Sequence, residues 1–70
     1  MVRKYSVTLR GHRTSFSLEE EFYRAVRQIA EERGQPMAAL IAEVDEGRDE
    51  GYNLSSALRV FVLKTCTAGR

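Results

Sequence analysis

The segment that most constrains the fold of this chain is the run Arg-Thr-Ser-Phe-Ser-Leu from Arg13 to Leu18. Polar and apolar residues alternate along it, and three glutamates follow at 19 to 21, so the pattern predicts a β-strand that ends where a helix begins. No second strand is evident downstream, and a lone strand leaves backbone groups unpaired. The sequence therefore predicts a mainly α protein with one β-strand per chain, whose partner strand comes from a second copy.

The alternation also assigns the two faces of this strand. The inward face is predicted to carry Thr14, Phe16 and Leu18. The outward face is predicted to carry Arg13, Ser15 and Ser17.

The length of the chain supports oligomerisation. With 70 residues, a domain of about this size buries only roughly 60% of its unfolded surface, and such cores usually need a disulfide, a metal or a partner. One cysteine, Cys66, and one histidine, His12, supply neither a disulfide nor metal-ligand spacing. We therefore expect a homodimer without metal or cofactor, in a reducing cytoplasm.

Two classes of protein are disfavoured by the sequence. No apolar run approaches the roughly 18 residues of a membrane span, and no targeting segment is visible, so no membrane association is expected. Neither His12 nor Cys66 has a base or an orienting group near it in the sequence, and a nucleophilic site needs both. An enzyme is therefore not expected.

The N-terminal segment has its own alternation. Tyr5, Val7 and Leu9 are apolar at odd positions, whereas the apolar residues after Gly11 stand at even positions. A glycine between two such patterns is typical of a bulge or bend, so residues 1–11 are interpreted as a separate arm and 12–18 as the strand. The arm could fold back as a hairpin, pair with a partner or stay loose. No internal repeat is evident.

Three helices follow the strand. Residues 19–33 and 36–47 carry apolar residues at helical spacing, and Gly34 between them is a typical helix stop. A polar loop is predicted at 48–51 and a third helix at 54–65, whose apolar surface exceeds one stripe and so indicates a covering partner. The predicted dimer core comprises Phe16, Leu18, Phe22, Val26, Ile29, Leu40, Ile41 and Val44.

The charge of +1 is unevenly distributed along the chain. Residues 1–18 carry four basic residues and no acid, residues 19–50 carry four basic residues against ten acids, and residues 51–70 carry three basic residues. The basic charge therefore lies at the strand end of the molecule. This asymmetry is compatible with a polyanionic ligand, although a solvated basic terminus gives the same pattern.

The order strand, helix, glycine turn, helix between Arg13 and Val44 resembles the ribbon-helix-helix family of small bacterial and phage DNA-binding proteins, of the MetJ, Arc and CopG type. The resemblance is carried by Arg-Thr-Ser-Phe-Ser-Leu as the strand, the helix at 19–33, the turn at Arg33 and Gly34, and Met-Ala-Ala-Leu-Ile at 37–41. The runs Ser-Val-Thr-Leu-Arg-Gly-His-Arg-Thr-Ser at 6–15 and Asn-Leu-Ser-Ser-Ala-Leu-Arg-Val-Phe-Val-Leu at 53–63 are similar to a subfamily of short bacterial members.

The resemblance implies an intertwined homodimer with an intersubunit antiparallel ribbon in the major groove of double-stranded DNA, plus an extra C-terminal helix. Base or groove contacts are expected from Arg13, Ser15 and Ser17, and phosphate contacts from Arg3, Lys4, Arg10, Gln35, Met37 and Ala38. The expected function is transcriptional regulation through sequence-specific DNA binding, close to the nucleoid. The alternative is an antitoxin-like or adaptor module of the same fold, which binds a protein partner through the third helix.

Overall fold

A computed structural model describes residues 1–49, 51 and 53–68 of the chain. Its elements are β1 (Val2–Leu9), β2 (His12–Glu19), α1 (Glu20–Glu32), α2 (Met37–Gly47) and α3 (Leu54–Ala68). The polar loop predicted at 48–51 includes Glu50, which lies outside the described residues.

The two strands form one antiparallel hairpin, with Leu9 opposite His12 at the closed end. Arg10 and Gly11 form the two-residue turn, and both have positive φ, 51° and 79° respectively. Turns with positive φ at both central residues match the twist of the strands that they connect, and glycine adopts this conformation without a Cβ penalty. Of the three conformations left open for residues 1–11, the structure shows the hairpin, because most of these residues form β1.

The prediction of one strand per chain is wrong. Across the two-residue turn, every odd-numbered residue lies opposite an even-numbered one. The change of parity at Gly11 therefore keeps both apolar sets on one face of the hairpin, and it does not mark a bulge. The ribbon is formed within one chain, so the argument that a lone strand requires a second copy loses its premise.

The three helices pack on the apolar face of the hairpin and close a single core. The largest fully buried side chains are those of Val26, Leu18, Leu40 and Leu58, which come from four different elements. The ring of Tyr5 stacks on that of Tyr23, with centroids 3.9 Å apart. This aromatic pair ties β1 to α1.

The residues that were predicted as dimer core contribute to the core of the single chain. Six of the eight are buried: Phe16, Leu18, Val26, Ile29, Leu40 and Ile41. Phe22 and Val44 are half-buried. Burial by the chain itself means that these side chains need no partner to cover them, and a role in a dimer stays a prediction.

The third helix is fixed to the hairpin by polar contacts as well as by its apolar face. The side chain of Asn53 caps α3, since its Oδ1 accepts a hydrogen bond from the backbone N–H of Ser55 at 2.8 Å. The Oγ of Ser55 accepts the backbone N–H of Ser17 at 2.9 Å, and Nε of Arg59 donates to Oε1 of Glu19 at 3.0 Å. None of the described helices is long and apolar enough to cross a membrane.

The contact of Glu19 with α3 predicts a pH dependence of stability. A hydrogen bond from its own backbone N–H, followed by the Arg59 side chain, lowers the pKa of the Glu19 carboxyl below its ordinary value. A lowered folded-state pKa gives stability that is fully present above the unfolded pKa, about 4.3, and is lost as pH falls through the folded pKa. In thermal unfolding of wild type and Glu19→Gln, we expect the wild-type advantage at about pH 6 to disappear near pH 3. An advantage unchanged over that interval would contradict the assignment.

Candidate nucleic-acid interface

The face of the hairpin that points away from the helices is entirely polar along its central part. Its outward side chains are those of Lys4, Ser6, Thr8, Arg13, Ser15 and Ser17. All are exposed except Ser17, which is half-buried beside α3. We call this set the outer face.

In the register of the hairpin, each predicted base-contact residue of β2 lies opposite a residue of β1. Arg13 lies opposite Thr8, Ser15 opposite Ser6, and Ser17 opposite Lys4. The outer face therefore has two cations at diagonally opposed corners and four hydroxyl groups. A guanidinium can donate two hydrogen bonds to guanine, and a hydroxyl can donate or accept, so this face has the groups that read base edges.

Ser6 and Thr8 were not predicted as site residues. The signal that could have found them is the Arg-Gly pair flanked by alternating apolar residues, which is a hairpin pattern. Treating Gly11 as a bend removed β1 from the ribbon and hid its outward residues.

The predicted phosphate-binding cations differ in their environments. Arg3, Lys4 and Arg13 form no ion pair with any residue that the structure describes. Arg10, at the tip of the hairpin, pairs with Glu46 of α2 at 2.8 Å, where both side chains are more than half exposed. An ion pair so exposed contributes little to stability, so Arg10 can exchange its carboxylate partner for a phosphate at small cost.

The N-terminus of α2 lies beside β1, since Met37 and Ala38 line the same cavity as Tyr5 and Val7. The helix begins at Met37 with Pro36 as its N-cap, and the Pro36 carbonyl accepts the N–H groups of Ala39 and Leu40. The N–H groups of Met37 and Ala38 are the first of the helix and lie at the positive end of its dipole. They suit an anion.

Gln35 is less suited to the predicted phosphate contact. Its backbone N–H donates to the Ala30 carbonyl at 3.0 Å, and its side-chain amide donates to Oε2 of Glu43 at 2.6 Å. These donors are already engaged within the chain, and the adjacent carboxylate repels a phosphate. The anion-binding potential of this helix end therefore lies in Met37 and Ala38.

The cysteine lies apart from the outer face. Cys66 is exposed near the end of α3 and lines an apolar groove with Phe22, Val60 and Leu63. Within residues 1–49, 51 and 53–68, no group of three or more His, Cys, Asp or Glu side chains could hold a metal ion.

Comparison with known families gives one match. The family model for the ribbon-helix-helix domain matches residues 2–66 of the 70 residues. No curated protein and no solved structure matches the chain significantly.

Proposed function

Because the chain belongs to the ribbon-helix-helix family, we propose that it is a sequence-specific DNA-binding protein and a transcriptional regulator, without enzymatic activity. The outer face of the hairpin enters the major groove. Arg13, Ser15 and Ser17 contact bases, while Arg3, Lys4, Arg10 and the first N–H groups of α2 contact phosphates.

One observation carries this proposal: the outer face is polar, basic and, apart from the half-buried Ser17, exposed, although the opposite face of the same hairpin forms the core. Two antiparallel strands lie about 4.8 Å apart, and the major groove of B-DNA is about 12 Å wide, so a two-stranded ribbon fits it. Apart from Asp49, which follows α2, the acidic residues of the described chain lie at the end of β2 and in the helices. Glu19, Glu20 and Glu46 among them are paired with arginines. This pairing reduces their repulsion of phosphates.

A homodimer is part of the proposal. Its support is the apolar groove between α1 and α3, lined in part by Phe22, Val60 and Leu63, where Leu63 is 61% exposed. Two copies related by a two-fold axis would cover each other's groove. In sedimentation equilibrium, the wild type should be dimeric and Leu63→Asp monomeric. A monomeric wild type at micromolar concentration would contradict the dimer without touching the DNA proposal.

Selection of bound sequences from random duplex DNA tests the proposed function. Wild type should enrich a defined motif, and Arg13→Ala should lose preference for one position of it, at a cost of about 1 to 3 kcal/mol. Arg27→Ala, which removes an exposed arginine from α1, is the matched control and should keep the motif. Equal binding to all sequences by the wild type, or none at low salt, would contradict the proposal.

The alternative function is an antitoxin-like or adaptor module. The specific observation in its favour is the same apolar groove on α3, because exposed apolar patches often mark protein contacts. A purified stoichiometric complex with another protein, formed through α3 and lost in Leu63→Asp, together with no DNA affinity, would favour this alternative.

Arg10 gives a prediction that separates stability from binding. It holds a positive φ that Asn accepts more readily, and Asn-Gly is the preferred two-residue hairpin turn. We expect Arg10→Asn to change the free energy of unfolding by between zero and about 1 kcal/mol in the stabilising direction, and to weaken DNA binding. Urea unfolding and DNA titration measure the two effects. Glu46→Gln, which removes the ion pair and leaves the turn intact, is the control and should not weaken binding.

A further inference from the structure

One edge of β1 is not paired with any other element of the described chain. Its eight residues pair with β2 on one side only, because the sheet has two strands. In an antiparallel pair, successive residues turn their backbone groups alternately toward the partner strand and away from it. The two-residue turn closes at Leu9 and His12, so the backbone groups of Lys4, Ser6 and Thr8 point away from β2. We call this side of β1 the free edge.

The same alternation can be checked on β2. It requires the N–H of Ser17, opposite Lys4, to point outward, and this N–H donates to the Oγ of Ser55 at 2.9 Å. The edge of β2 is therefore closed at this end by α3. On β1, by contrast, the backbone groups of Lys4, Ser6 and Thr8 have no hydrogen-bond partner among the described residues. All three residues are exposed, so a further strand can reach the free edge.

A depression of about 230 Å³ lies between the free edge and α2. Tyr5 and Val7 form its β1 side, and Met37 and Ile41 form its α2 side. Ser6 also lines it, although the side chain of Ser6 belongs to the outer face, so the depression opens along the backbone of β1. A strand added to the free edge would turn alternate side chains toward the depression, where an apolar side chain would pack against aromatic and aliphatic groups.

The charge of this region limits which segment can occupy the free edge. Arg3 and Lys4 lie at one end of β1, Arg10 follows its other end, and residues 1–18 carry no acid. A second copy of β1 would place cations beside cations in either strand direction, and like charges on paired strands are destabilising. An acidic segment has the opposite effect, because Arg3 and Lys4 form no ion pair with any residue that the structure describes.

We propose that the free edge of β1 binds an extended acidic segment of a partner protein as a third strand. The backbone groups of Lys4, Ser6 and Thr8 form hydrogen bonds with the segment. Carboxylates of the segment pair with Arg3 and Lys4, and one apolar side chain fills the depression beside α2. In this mode of recognition the backbone hydrogen bonds supply affinity, and pockets for alternate side chains supply specificity. The surface is separate from the groove on α3, and its occupation requires no DNA.

Selection from a displayed library of random nine-residue peptides tests which segments the wild-type chain binds. Enriched peptides should be acidic and should share one apolar position. In a titration with one enriched peptide, methylation of alternate backbone nitrogens should abolish binding in one of the two alternations and preserve it in the other, because a strand turns only every second N–H toward its neighbour. No enrichment, enrichment of basic peptides, or equal effects of the two alternations would overturn the proposal.

A pair of proline substitutions locates the bound peptide. Ser6→Pro removes an outward N–H from the free edge, and Ser15→Pro removes the corresponding N–H from the edge of β2, since Ser6 and Ser15 lie opposite each other. Both residues are exposed, and proline is tolerated on edge strands where the N–H faces solvent. Ser6→Pro should weaken peptide binding by about 5- to 100-fold, whereas Ser15→Pro should leave it within about twofold of wild type. The reverse result would place the peptide on the edge of β2 and overturn the proposal.

A charge variant keeps the test decisive if a proline variant does not fold, which circular dichroism measures. Lys4→Ala should weaken peptide binding by about 2- to 5-fold, whereas Arg27→Ala, on α1, should not weaken it. Binding that is lost in Leu63→Asp and kept in Ser6→Pro and Lys4→Ala would place the peptide in the α3 groove. Self-association of the wild type that Ser6→Pro abolishes would assign the free edge to a second copy. Either result would overturn the proposal.

Discussion

Replacing Leu58 by alanine is expected to lower the free energy of unfolding by about 2 to 5 kcal/mol. Leu58 is fully buried and belongs to the core that α3 closes against the hairpin and the other helices. A domain of 70 residues has a total stability of roughly 4 to 10 kcal/mol, so the variant should be partly unfolded at 37 °C. Urea denaturation followed by circular dichroism measures the loss.

The matched control is Leu63→Ala on the same helix. Leu63 is 61% exposed, so the same truncation should cost at most about 0.5 kcal/mol in the isolated chain. Equal losses for the two variants would show that α3 does not pack through Leu58. A loss at Leu63 that depends on protein concentration would instead identify this side chain as part of the dimer interface.

Salt should weaken DNA binding steeply. Each phosphate neutralised by a cation contributes about −0.9 to the slope of log K against log salt concentration. With three phosphate contacts from Arg3, Lys4 and Arg10, affinity per chain should fall by about 40-fold between 50 and 200 mM salt. Fluorescence anisotropy with labelled duplex measures this slope.

Single substitutions of these cations test the salt prediction residue by residue. Removing one of these three cations should reduce the magnitude of the slope by about 0.9, whereas Arg27→Ala, on α1, should leave the slope unchanged. A slope near zero for the wild type would show that the basic N-terminal region does not contact phosphates.

Much of the fold follows from local periodicity in the sequence. Phe16 and Leu18 are buried on the predicted face of the strand, and Val26, Ile29, Leu40 and Ile41 are buried on helices near the predicted positions. These features depend on residues close in sequence. The family was also accessible from short motifs, and the match over residues 2–66 confirms it.

The hairpin was only one of three conformations left open for the N-terminal arm, because its turn was interpreted as a bulge or bend. An Arg-Gly turn lacks the Asn or Asp that most often precedes glycine in such turns, and a change of apolar parity is compatible with either a bulge or a two-residue loop.

Contacts between distant elements were beyond sequence reasoning. The amide of Gln35 donates to Glu43, and Arg10 pairs with Glu46, which changes how available each is to a phosphate. The hydrogen bond from Ser17 N–H to Ser55 joins residues 38 positions apart. No local pattern encodes such pairings, because they depend on how the helices pack.

Mapping the DNA contacts on the isotopically labelled chain by NMR tests whether the outer face is the binding surface. On addition of duplex containing the selected motif, we expect the largest backbone amide shifts at Lys4, Ser6, Thr8, Arg13 and Ser15, with smaller ones at Met37 and Ala38. Shifts confined to the α3 groove around Leu63, with the hairpin unchanged, would contradict DNA recognition by the hairpin.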